Sequence, residues 1–99
     1  MIYNLIFPTA LEDINPDNDN LDVLVQTENG KRYSFVVATP DNLKYLMNKD
    51  GLPYLQPGLP FLFVKKITEE NIRMLLDSLF EENQQIIEIY GEDFSDLSK

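Results

Sequence analysis

Asn29-Gly30 lies between two runs of alternating residues, and this constrains the fold more than any other feature of the chain. In the first run Leu21, Val23, Val25 and Thr27 fall on one side, with Asp22, Leu24 and Gln26 on the other. In the second, Tyr33, Phe35 and Val37 oppose Arg32, Ser34 and Val36. A period of two buries one face of a strand. Asparagine and glycine both tolerate the positive φ of a type I′ turn, so the pattern predicts a hairpin of residues 21–28 and 32–38.

The rest is punctuated around that hairpin. Tyr3–Phe7 reads as a strand ended by Pro8, and the Asx-rich segment 9–20 as a surface loop that Leu11 and Ile14 pin to the body. Thr39-Pro40-Asp41 opens a helix over 40–49, and Gly51 supplies its left-handed cap. Pro53, Pro57 and Pro60 exclude regular structure from 52–60, where Pro57-Gly58 suggests a type II turn. Phe61–Val64 reads as a buried strand. Thr68 caps a second helix whose Ile72, Leu75, Leu76, Leu79 and Phe80 share one face. Ile86–Tyr90 alternates as a short edge strand would, and residues 91–99 read as a mobile acidic tail. The expectation is a single α+β domain over 1–99. It is a two-layer sandwich in which a mostly antiparallel sheet of four to five strands carries two helices on one face, in the order β-β-β-α-β-α with an optional last strand.

The chain of 99 residues is 43 % hydrophobic, far from the composition of a disordered protein. It contains no cysteine, which excludes a disulfide-stapled scaffold and thiolate chemistry, and no histidine, the commonest general base. No P-loop, dinucleotide fingerprint or nucleophile elbow occurs, so most kinases, oxidoreductases and hydrolases are disfavoured. The neighbouring pairs Glu69/Glu70, Glu81/Glu82 and Glu92/Asp93 make no acid–base dyad, because adjacent helical residues point apart. Asp13 to Asp19 resembles the start of a calcium loop. However, Asn18 replaces its glycine and Leu24 its closing acid, and an Asx turn explains the same residues. The expectation is a non-enzyme without catalytic residues, metal or cofactor. With no signal-peptide pattern and no apolar run of about 18 residues, a cytoplasmic protein away from the membrane is expected.

Charge carries the functional reading. The chain has a net charge of −9, and nine of its 17 acids but only two of its eight bases follow residue 68. Such a surface repels nucleic acid and speeds encounter with a basic partner. The sequence therefore suggests a protein-binding module, of the kind that covers a basic toxin or nuclease as an immunity or inhibitor protein. Its contacts would be Glu81, Glu82, Glu88, Glu92 and Asp93, with Tyr54 and Leu59. Tyr54, Leu55, Leu59, Phe61 and Phe63 either form an exposed patch or roof the core beside the second helix; a short chain's need for core favours the roof. The alternative function is self-assembly through Ile86–Tyr90 or the Tyr54–Phe63 patch, and a carboxylate- or metal-dependent enzyme ranks last.

Three stretches, Val37–Leu43, Pro57–Phe61 and Val64–Ile72, resemble a group of short uncharacterised bacterial proteins. The likeness lies in caps, turns and core residues. It implies a shared fold and carries over no activity and no functional residue.

Overall fold

A computed structural model of the chain describes residues 3–54 and 61–93. Among these residues five strands are present: β1 (Tyr3–Ile6), β2 (Asn20–Thr27), β3 (Arg32–Ala38), β4 (Phe61–Phe63) and β5 (Glu92–Asp93). The helices are α1 (Pro40–Asp50), α2 (Glu69–Glu82) and α3 (Gln84–Tyr90), with a 3-10 turn at Leu11–Asp13. The sheet runs β1-β2-β3-β4, and β5 also pairs with β3. β1–β2, β2–β3 and β3–β5 are antiparallel and β3–β4 is parallel. The fold is thus α+β, with three helices rather than two and a mixed sheet.

The predicted hairpin forms, but its turn differs. Only glycines take positive φ among the described residues, so Asn29 does not, and a type I′ turn is ruled out. The Gly30 amide donates to the Thr27 carbonyl (3.0 Å) and the Thr27 amide to the Lys31 carbonyl (2.9 Å), closing a three-residue loop with Gly30 at φ 87°. This is a turn followed by a glycine bulge. The Asn29 side chain accepts from the Thr27 hydroxyl.

Register then lines up one apolar face. Val25 faces Leu5 and Tyr33, Val23 faces Phe35, and Val37 lies between Leu21 and Leu62. All except Leu5 are buried, together with Val64, Ile67, Ile72, Leu76 and Ile87. α2 covers this face as its 3.6-residue period requires: Ile72 and Leu76 are sealed in, and Leu75, Leu79 and Phe80 pack at the margin. Thr39 and Thr68 cap α1 and α2 through the amides of Asn42 and Asn71 (3.2 and 3.1 Å), and Gly51 ends α1 at φ 67°.

Ile86–Tyr90 is helical and offers no strand edge, contrary to its alternation. Helical spacing puts Ile87 and Tyr90 on the core side, where Ile87 is fully covered. The strand role passes to Glu92–Asp93, beside Ser34 and Tyr33. Residues 94–99 of the expected tail lie outside the described residues, as do Leu55, Leu59 and the Pro57-Gly58 turn.

The two helices on the core face are α2 and α3 rather than α1 and α2. Ala38 accepts from the Val64 amide (3.0 Å), so the β3 residues turned away from the core bond to β4. With that orientation, a right-handed return from β3 to the parallel β4 passes over the other face. α1 is fastened there by polar contacts. The buried Asn42 accepts from Asn20 Nδ2 (2.8 Å) and donates to Asn18 Oδ1 (3.3 Å), while Ala38 beneath is completely covered. The apolar stripe of α1, Leu43, Leu46 and Met47, is half-buried.

Tyr3 ties β1 to α2. Its ring stacks on Phe80 at 5.1 Å, and its hydroxyl donates to Asp77 Oδ1 at 2.5 Å. Burial, then the bond to Asp77 and its charge, push the phenol well above the ordinary value of 10.0. A raised folded-state value means that stability is fully present below pH 10 and is lost as pH rises beyond it. Tyr3→Phe is expected to cost about 1 kcal/mol at neutral pH. It should also flatten the fall in stability above pH 10, as measured by urea unfolding across the alkaline range.

Candidate functional site

Because the inner sides of α2 and α3 are spent on the core, their charged residues face water. Glu81 and Glu82 end α2 and Glu88 sits on α3, all exposed. Turning 100° per residue, Glu70, Met74, Asp77 and Glu81 fall along one outer ridge of α2. The two helices carry six acids against one base, Arg73, which pairs with Glu69 in the same helix at 3.1 Å. That exposed pair offsets little of the field.

Two apolar side chains interrupt the acidic surface. Met74 is 64 % exposed and Ile89 68 %. Neither was singled out from the sequence. Met74 was discoverable, because it falls off the core stripe of α2. Ile89 was hidden by the strand reading of its segment. Glu81, Glu82 and Glu88 lie on α2 and α3, and Glu92 and Asp93 follow the buried Gly91 in β5, beside Ser34 and Tyr33. Tyr54 is not on these elements: it is half-exposed on the segment after α1, and Leu59 lies outside the described residues.

The expected roof over the core is not built by Phe61 and Phe63. Parallel pairing with Val36 and Ala38 puts both rings on the face opposite the core, where Phe63 is 48 % exposed, and Leu62 and Val64 fill the core positions instead.

A cleft of about 710 Å³ opens between the start of α1, the end of β4 and the start of α2. Asp17, Asp41, Lys65, Lys66 and Asn71 are its polar lining. Lys66 lies 3.5 Å from Asp17, and Asn71 is spent on the Lys66 carbonyl. Acids and bases balance there, and no buried side-chain polar atom among the described residues lacks a partner. Nothing in this lining prepares a nucleophile. The loop that resembled a calcium site is stitched to itself: Asn15 Oδ1 accepts from the Asp17 amide, and Asp19 from the Asn15 and Asn20 amides. Its backbone also holds the Thr39 and Ile67 amides. No cluster of three or more metal-ligating side chains occurs among the described residues.

The fold and surface together define a small α+β domain with a negatively charged helical face. No family model, curated protein or solved structure matches the chain. No helix among the described residues is long and apolar enough to cross a membrane.

Proposed function

We propose that the chain is a non-catalytic, acidic protein-binding module of a reducing cytoplasm, which covers a basic partner in the manner of an immunity or inhibitor protein. One observation carries the reading: exposed Met74 lies on the α2 ridge of Glu70, Asp77 and Glu81, and exposed Ile89 follows Glu88 on α3, both on helices whose opposite sides are buried. Acids steer a positively charged surface in from a distance, and the apolar pair supplies contact area once it arrives. The absence of histidine and cysteine supports binding over catalysis.

Affinity capture at low salt, from the cell that encodes the chain, is expected to retrieve a basic protein. Its association rate should fall steeply with ionic strength. Glu81→Lys, Glu82→Lys and Glu88→Lys combined should slow association by about tenfold or more at low salt, because the steering charge is reversed. Unchanged rates in that variant, or capture of acidic partners only, would remove the reading.

A further inference from the structure

The two edges of the sheet are finished differently. Beyond β3, β4 and β5 lie end to end along one edge, at Val36–Ala38 and Tyr33–Ser34. At the other edge, among the described residues, β1 has a neighbour on one side only. The hydrogen bonds of the hairpin show which of its groups are open. The Thr27 amide bonds to Lys31, so the core-facing residues of β2 aim their backbone at β3. Leu24 and Gln26 therefore serve β1, through their partners Ile6 and Asn4. Tyr3 and Leu5 are left with amide and carbonyl turned outward, and no described backbone bond reaches them from elsewhere.

Exposed edges are ordinarily blunted by charge, proline within the strand, a bulge or a covering segment. Among the described residues β1 carries no charged residue, proline or bulge, and its four-residue length is what limits this edge. The first charged side chain of the sequence is Glu12, although a quarter of all residues are charged. Leu5 and Phe7 are half-buried at the rim of the core, and Ile6, 46 % exposed, borders a groove of about 170 Å³ with Leu24 and Gln26.

We infer that β1 pairs antiparallel with β1 of a second copy, about a two-fold axis at Leu5, to make one sheet across a homodimer. Two arguments select a second copy. A chain of net charge −9 repels its own kind least where charge is sparsest, and the residues of β1 are themselves uncharged, with Asp77 beside them at the Tyr3 hydroxyl. The strand also complements itself: under the two-fold, Leu5 meets its own counterpart, and Tyr3 meets Phe7, so rim side chains of both cores are covered while their outward backbone groups pair. The acidic helices stay free, so the proposed partner surface is not consumed. A single short strand buries less than the roughly 1,200 Å² of a standard interface, so the dimer is weak, with a dissociation constant of about 100 μM.

Salt separates this association from capture of a basic partner. Screening relieves the repulsion between two acidic copies, so dimerisation strengthens with salt where the other binding weakens. Sedimentation of the full chain between about 10 μM and about 1 mM should show the mass rising from 11.5 kDa toward twice that value, at lower concentration in about 0.5 M salt. Amide exchange at Leu5 should slow in step with the dimer, a readout that needs no variant. Leu5→Pro deletes an outward donor without touching a β1–β2 bond and should abolish dimerisation. Ile6→Lys keeps Leu5 in place and should weaken it by about tenfold through charge at the edge. A monomer at about 1 mM in high salt overturns the inference, and so does a dimer in which Leu5 exchanges at its monomer rate.

Discussion

Phe35→Ala is expected to destabilise the fold by about 4 kcal/mol, within the range for truncating a fully buried aromatic side chain. Phe35 is 1 % exposed and sits mid-sheet, opposite Val23 and 6.3 Å from the ring of Tyr33. Its far edge supports the chain at Gly91, where α3 hands over to β5. Truncation therefore opens a cavity bounded by sheet, helix and β5, and the rigid sheet side cannot collapse into it. For a chain of this length, the Tm should fall by roughly 15–30 °C. Val36→Ala is the control. Val36 is the next residue but faces away from the core, half-buried, and its loss should cost under about 1 kcal/mol. Urea unfolding with an unchanged slope checks both. Equal losses at the two positions would mean that the core is not on the face assigned.

Much of this was legible in the sequence because local chemistry and tertiary need agreed. Thr39, Pro40 and Gly51 bound α1, and Thr68 opens α2, as capping preferences require. The alternation of Leu21–Thr27 and Tyr33–Val37 named the buried face residue by residue. Where the two conflicted, tertiary need won. Ile86–Tyr90 has strand-like composition, yet Ile87 reaches the core only from a helix, and the edge of β3 is occupied by β4 and β5. The Asn29-Gly30 turn was located correctly and typed wrongly, because a glycine at this position serves a three-residue loop with a bulge as well as a two-residue turn. The side of the sheet taken by α1 depends on the handedness of the β3–β4 return, which no residue pattern records. The acids could be counted from sequence and Met74 could be read from its place off the core stripe of α2, whereas Ile89 needed the helical packing of α3 to become visible.

Gly91→Ala is expected to cost about 2–3 kcal/mol and Gly91→Val more, although the backbone there (φ −84°, ψ 132°) suits any residue. Space, not conformation, demands glycine. An added Cβ would lie 2.6 Å from the Ile87 carbonyl and 2.9 Å from the Phe35 ring. The carbonyl cannot retreat without breaking its 2.8 Å bond from the Gly91 amide, which closes α3. Two obstacles of different kind make the expectation specific. Phe35→Leu removes the ring edge but leaves the carbonyl, so the double variant with Gly91→Ala should recover part of the coupling and not all of it. Full recovery would assign the whole cost to the ring, and an Ala variant as stable as the natural chain would refute the close approach altogether. Because Glu88 and Ile89 lie on α3, a variant that loosens this junction should, under the proposed function, also slow capture of the proposed basic partner while most of the core remains.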